Sequence, residues 1–245
     1  MYWYKCWCEV RTRVLVSVLA LAVACVFIVF YQQTMRDHAD APMAYVGYIW
    51  KSVYNSFGRD LFVLMSIAMA GGGLLQERTH GTLGFTLALP ISRWQAVVTR
   101  AVVGYLGIVA MALVPAIVIP LLSPQVGQHY PLAQALQFSL LWTCSGSAIY
   151  TLTCLLSYLM EGEYSAMLVS IPSLMIYGAL LQLPWLARVP SFDIFHLMNG
   201  EDMPFFDETQ HIIIGSLPWL ALIVTFAVST SFVYAAGRRM QQRDL

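Results

Sequence analysis

The residue types that most often carry catalysis are few in this chain, and they lie far apart. Ser145-Gly146-Ser147 has the outline of a serine nucleophile, which needs a histidine base within hydrogen-bond reach and a group that orients the base. No histidine falls inside a long apolar stretch as the serines do, so we interpret the small residues as a surface for close helix packing. The five histidines are His38, His80, His129, His196 and His211.

The sequence also lacks the residue patterns expected of a metal site or a nucleotide site. Cys6-x-Cys8 has half the spacing of a zinc site, but no second pair follows at ligand spacing, so free thiols are predicted. A chain that hydrolysed ATP would need a glycine-rich phosphate loop that ends in Lys-Ser or Lys-Thr. The only lysines are Lys5 and Lys51, and neither stands in such a loop. The sequence therefore predicts no catalytic residue, no bound metal and no cofactor, and the chain is not expected to be an enzyme.

The composition indicates a membrane protein. Hydrophobic residues make up 59% of the chain and charged residues 11%, and the mean hydropathy is +0.67, whereas a soluble domain carries about 25% charged residues. A chain so poor in charge cannot cover a water-facing surface. The formal net charge of zero also removes the basic field that nucleic-acid binding needs, so no nucleic-acid partner is expected.

Six apolar segments are predicted to cross the membrane, because each meets or approaches the roughly 20 residues that a helix needs for this. The first has no cleavage site after it and is expected to remain as an anchor. Residues 1–13 are rich in aromatic and basic side chains and are predicted to form an interfacial helix, with a simple aromatic belt as the alternative. The fold class is a single all-α transmembrane domain over residues 1–245, with helices at 14–31, 57–75, 96–122, 136–160, 165–186 and 212–236.

The orientation follows from lysine and arginine, which cytoplasmic segments retain. With six crossings, most basic residues fall on one side, so both termini are predicted to be cytoplasmic and segments 32–56 and 188–211 to face outward. We expect a multi-pass protein of the cell (inner) membrane of a bacterium or archaeon. The cytoplasmic set is Lys5, Arg11, Arg13, Arg78, Arg93, Arg100, Arg238, Arg239 and Arg243, against Arg36, Lys51, Arg59 and Arg188 outside.

An apolar stretch, residues 83–89, is predicted to lie on the cytoplasmic side, where it needs a partner surface. Alternation of its apolar residues is typical of a strand, whereas Phe85 and Leu89 share one face at helical spacing. We predict a short helix along the membrane surface, ended by Pro90. Ser92, followed three residues later by Gln95, predicts a capping box at the start of the third span.

The pattern from Glu77 to Arg100 resembles the membrane subunits of type-2 ABC exporters. In that family a Glu after the second span is followed by Gly-Thr, an apolar stretch, Pro-x-Ser-Arg and a basic residue about seven positions further on. This chain departs from the pattern at Gly84, where an acid is common, and at Arg100, where lysine is common. The residues assigned to ATPase coupling are Glu77, Arg78, Gly81, Thr82, Leu83, Phe85, Leu87, Leu89, Pro90, Ser92, Arg93 and Arg100.

The resemblance implies a permease subunit of an ATP-binding cassette exporter. Residues 77–89 would form a coupling helix between spans 2 and 3 that docks in a groove of a separate cytoplasmic ABC ATPase subunit, which holds the ATP. The other partners would be a second permease copy or a paralogue, and membrane lipid. Because the spans contain almost no ionisable residue between their rims, we expect an apolar, amphipathic or lipid-like cargo. The alternative is a stand-alone membrane protein, such as a sodium-coupled carrier or a membrane assembly scaffold.

Overall fold

The computed structural model describes residues 2–32, 34, 44–71, 92–160, 165–183 and 193–242. Within these residues the chain is mostly helical, with one two-stranded antiparallel hairpin in which Phe206 pairs with Ile213. The elements are α1 (Tyr2–Phe30), α2 (Tyr45–Ile49) running into a π-helical turn (Trp50–Tyr54), α3 (Phe57–Ala70), α4 (Arg93–Leu122) with a 3-10 turn (Ser123–Val126), α5 (Leu132–Leu159), α6 (Ser165–Leu181), α7 (Ile194–Asn199), β1 (Phe206–Asp207), β2 (Ile212–Ile213) and α8 (Trp219–Gln242).

Within the described ranges, four helices, α1, α4, α5 and α8, are long and apolar enough to cross a membrane. Helix α4 alone has 30 residues, about 45 Å at the usual rise, against a hydrocarbon core of roughly 30 Å. The chain is therefore a helical membrane protein. Two shorter helices pack beside these four: α3, with 14 described residues, and the apolar α6, with 17.

The six longest helices alternate in direction between two ends of the bundle. At one end Glu9 of α1 meets Arg100 of α4, and we call it the Arg100 end. At the other, Trp50 bonds to the backbone of Asn199, and we call it the Trp50 end. Helices α1, α4 and α6 begin at the Arg100 end, and α3, α5 and α8 finish there.

The largest differences from the predicted helix boundaries lie at the first and last helices, while the helices predicted at 96–122 and 136–160 begin slightly earlier, at Arg93 and Leu132. Residues 1–13 were expected as a separate interfacial helix, but the described part continues unbroken into the first span as α1, and Cys6 and Val10 are buried in the bundle. The last helix was expected to begin at Ile212, which is wrong. Ile212 and Ile213 form β2, and α8 starts only at Trp219. Gly215, at φ +91°, turns the chain after the strand. Pro218 has no backbone N–H with which to extend the hydrogen bonds between the strands.

Close helix packing depends on small residues in α5, as the Ser145-Gly146-Ser147 sequence predicts. A Cβ at Gly146 would lie 2.7 Å from the Phe62 ring of α3 and 3.1 Å from Ile108 of α4. The hydroxyl of Ser147 contacts that of Ser229 in α8 at 3.0 Å. Three neighbouring helices therefore approach α5 around this short segment, where lipid offers no hydrophobic driving force and van der Waals contact must supply the attraction.

Substitution of Gly146 by alanine is expected to destabilise the bundle by about 1–3 kcal/mol, because Phe62 is fully buried against Trp142 and has no room to move. Thermal unfolding in detergent micelles, followed by tryptophan fluorescence, measures the loss. Gly178→Ala in α6 is the matched control, since an added Cβ there meets nothing within 4 Å and alanine is the better helix former. Equal effects of the two substitutions would contradict the packing argument.

Candidate functional site

The candidate site is the Arg100 end, where the predicted coupling segment joins the bundle. Of the twelve residues assigned to ATPase coupling, the structure describes three: Ser92, Arg93 and Arg100. The predicted coupling helix at 77–89 lies outside the described residues, and so do the other nine, Glu77, Arg78, Gly81, Thr82, Leu83, Phe85, Leu87, Leu89 and Pro90. The structure does define the two helix ends that flank this segment: the end of α3 at Gly71, from which it departs, and the start of α4 at Ser92, to which it returns.

The return point is the start of α4, and here the predicted capping box is confirmed. The amide of Gln95 donates to the hydroxyl of Ser92 at 3.1 Å, and the amide of Ser92 donates to the side-chain oxygen of Gln95 at 3.1 Å. Two backbone donors that would otherwise lack helical partners are thereby satisfied. The boundary between the segment and α4 is fixed at Ser92.

The first turn of α4 is also held against the last turns of α8. Arg93 donates to the carbonyl of Met240 at 3.4 Å. The Trp94 ring meets the edge of Tyr234 at 5.7 Å, and it lies so close to Gly237 that a Cβ there would clash with it at 2.1 Å. Only a residue without a side chain allows this contact, so the glycine at position 237 is part of the joint between α4 and α8.

The departure point is the end of α3. The last described residue, Gly71, lies directly against Met167 of α6, since a Cβ on the glycine would overlap the methionine side chain. Gly71 also borders a small cavity of about 30 Å³ whose polar walls include Glu9, Arg13 and Tyr158. A cavity of this size has room for a single water molecule.

The third described residue, Arg100, is buried and paired with a residue that the sequence analysis did not single out. Its guanidinium donates to the Glu9 carboxylate of α1 at 2.5 Å, and its side chain is only 10% exposed while that of Glu9 is 34% exposed. The hydroxyl of Tyr150 donates to the Arg100 carbonyl at 3.3 Å. Arg100 therefore joins α4 to α1 inside the bundle. The one signal for Glu9 was that it is the only acid before Asp37.

Charge is distributed unequally between the two ends of the bundle. Of the described residues, the Arg100 end carries seven basic side chains and the acid Glu9, whereas the Trp50 end carries two basic side chains and six acids. The basic residues of the Arg100 end are Lys5, Arg11, Arg13, Arg93, Arg100, Arg238 and Arg239. Lys51 and Arg59 at the Trp50 end are accompanied by Asp60, Asp193, Glu201, Asp202, Asp207 and Glu208.

The Trp50 end is closed by an aromatic cluster. The Trp50 ring stacks on His211 at 4.6 Å between centroids and lies 5.2 Å from Phe206, and its indole N–H donates to the carbonyl of Asn199 at 2.8 Å. The Asn199 amide in turn donates to the side chain of Asn55 at 2.6 Å, next to α3. Helix α7 and the hairpin thus contact the start of α3 at the Trp50 end.

Three titratable groups near this end have shifted pKa values. Hydrogen bonds from the hydroxyl and amide of Thr209 lower the pKa of the exposed Asp207, which caps its own turn. Burial raises the pKa of Tyr54 and of Tyr130 above the ordinary tyrosine value, at which the hydroxyl is already neutral at physiological pH. In the described part of the chain no group of three or more His, Cys, Asp or Glu side chains has the arrangement of a metal site, and the cysteines there are free thiols.

Comparison with models of known protein families gives no match to this chain, and comparison with curated proteins gives none either. The functional assignment therefore depends on the residue pattern and on the geometry at the Arg100 end.

The ion pair between Glu9 and Arg100 is expected to stabilise the bundle more than its exposed neighbour does. Glu9→Gln removes the negative charge that α1 places against the buried guanidinium and should cost about 1–3 kcal/mol. Lys5→Gln removes the partly exposed ion pair at 3.7 Å on the other side of Glu9 and should cost less than about 0.5 kcal/mol. Urea unfolding in mixed micelles compares the two variants, and a Lys5 effect as large as the Glu9 effect would refute this ranking.

Proposed function

We propose that this chain is the transmembrane permease subunit of an ATP-binding cassette exporter, which forms the substrate pathway and couples to a separate cytoplasmic ATPase. The residue pattern from Glu77 to Arg100 carries this proposal, since it combines an acid, Gly-Thr, an apolar stretch and Pro-x-Ser-Arg in the order found in type-2 exporters.

The arrangement of the helices supports six crossings. Helices α3 and α6 run between the same two ends as the four long helices and alternate with them in direction. If all six cross the membrane, the seven described basic side chains of the Arg100 end lie on one side, which by the positive-inside tendency is the cytoplasm. Residues 72–91 then connect the second and third crossings on the cytoplasmic side.

The contacts at the Arg100 end support a route for mechanical coupling. A displacement of the coupling segment would reach α3 through Gly71 and α4 through Ser92. Both helices in turn contact other helices of the bundle. Arg100 passes a displacement of α4 to Glu9 of α1, and Arg93 passes it to the end of α8. Packed helices move as rigid bodies with a small number of arrangements, so ATP-driven closure of two ATPase subunits would shift whole helices of the permease.

The transported compound would cross between two permease chains, either two copies of this one or this chain and a paralogue. Apart from Arg100 and Gln134, the described buried side chains of the long helices are apolar or carry small hydroxyl groups, which favours an apolar or amphipathic cargo over a small ion. Energy would come from ATP held entirely by the partner subunit.

The proposal is tested by capturing the tagged full-length chain from detergent-solubilised native membranes and measuring ATP hydrolysis in the captured complex. An ABC ATPase subunit should be recovered at one copy per permease. Phe85→Asp places a charge in the apolar stretch and should reduce the recovered ATPase at least ~10-fold, as loss of an aromatic anchor does at protein interfaces. Glu77→Ala should also lower the stimulation of ATP hydrolysis by the permease.

The control is Gln242→Ala, at the exposed last turn of α8 on the same end of the bundle, which should leave recovery unchanged. Membrane insertion of every variant is checked by its yield in the membrane fraction. Recovery of the wild-type chain without any ATPase, or full recovery by Phe85→Asp, would contradict the proposed function and favour a stand-alone carrier or scaffold.

A further inference from the structure

An apolar cavity of about 420 Å³ lies between α5, α6 and α8, away from the Arg100 end. Its walls include Ile149 and Leu174 at the centre of the bundle and Val228 and Phe232 on α8, with Ile194 of α7 and Tyr177 of α6 toward the Trp50 end. The volume lies in the range of small-molecule sites, roughly 300–1,000 Å³. The cavity exists because α6 stands off from the bundle and buries only Ala166, Ser170 and Leu174.

The lining of this cavity is suited to a hydrocarbon group and offers no free polar partner. The two hydroxyl groups among the lining residues already have partners: Thr225 donates to the Ala221 carbonyl at 2.8 Å, and Tyr177 accepts from the Ile194 amide at 3.3 Å. An alkyl or aryl group would fill the space without leaving a buried polar atom unsatisfied. The hydrocarbon tails of bilayer lipids meet the same requirement, so selectivity has to come from the polar end of the occupant.

That polar end would meet negative charge. Asp193 directly precedes the wall residue Ile194, and its carboxylate is oriented by the amides of Phe195 at 2.8 Å and His196 at 3.0 Å. His196 lies 3.2 Å from the same carboxylate. With six described acids against two basic side chains at this end, the local field attracts a cationic head group and repels the phosphate of an anionic lipid.

We propose that this cavity binds a cationic amphiphile, with its hydrocarbon part between α6 and α8 and its ammonium group near Asp193. A bound amphiphile of this class would be the cargo only if the proposed exporter function holds, but binding itself requires no ATPase. The proposed ligand therefore has a hydrophobic tail and one positive charge. The apolar composition of the helices alone does not specify the charge of the head group.

The binding test uses the full-length chain in nanodiscs of zwitterionic phosphatidylcholine. The probe is a dodecylammonium ion with a diazirine in its tail, and the comparison is dodecyl sulfate with the same diazirine. After irradiation, mass spectrometry maps the labelled peptides. We expect the cation to label α6 and α8 at least ~10-fold more than the sulfate does at equal concentration in the bilayer.

Two pairs of variants locate the site. Val228→Trp fills the cavity and should reduce cation labelling at least ~5-fold, whereas Ile223→Trp, on the same helix but 67% exposed and outside the cavity lining, should leave labelling unchanged. Asp193→Asn keeps a side chain able to cap α7 while removing the charge nearest the cavity wall, and should lower the cation-to-sulfate ratio at least ~3-fold. Asp207→Asn, at the hairpin, is the control for the general field and should preserve most of the preference.

Equal labelling by the two head groups would overturn the proposal and identify the cavity as a gap filled by ordinary lipid. Labelling that survives Val228→Trp would place the probe elsewhere and overturn it as well. Cation binding with no recovered ATPase would leave the cavity assignment intact and refute the exporter function, whereas ATPase recovery without cation binding would do the reverse.

Discussion

The constraint on which this structure depends is that a backbone in hydrocarbon must satisfy its own hydrogen bonds. Long helices meet it, and four of them have the length and apolarity to cross a bilayer. Since lipid tails are as apolar as leucine, the helices gain little by hiding side chains from their surroundings, and close contact must hold them together. The small residues of α5 and the glycine beneath Trp94 permit such contact, and for this reason they matter more to the bundle than their size suggests.

The same constraint explains why the Arg100 end differs chemically from the rest. Charged and polar side chains concentrate where helices leave the apolar layer, and there they join helices that are distant in sequence. Arg100 is reached from α1 by Glu9, and the start of α4 is tied to the end of α8 by Arg93 and Trp94. The proposed coupling segment lies between Gly71 and Ser92, so in that proposal a displacement of it would act on several helices together. The cavity near the Trp50 end would give that motion a ligand to act upon.

The sequence predicted the class of fold and several particular elements. Apolar segments and scarce charge led to a helical membrane protein, and the Ser92–Gln95 spacing led to a capping box at the start of a helix. The membrane-protein class and the capping box are confirmed. The number of crossings, their orientation and the coupling helix remain predictions. The start of the last helix was misplaced, because an apolar run such as Ile212 to Leu217 fits a strand, a turn and a helix equally well when hydropathy is the only guide.

What the sequence by itself determined is therefore local: which stretches prefer lipid, where a helix starts, and which residue pattern resembles a coupling segment. Only the tertiary structure decided which distant residues meet. Glu9 and Arg100 are 91 positions apart, and no local preference links them. The burial of Arg100, the contact between Trp94 and Gly237, and the cavity that α6 leaves beside α5 and α8 all arise from how whole helices pack. Packing is a property of three-dimensional shape, which one-dimensional periodicity does not contain.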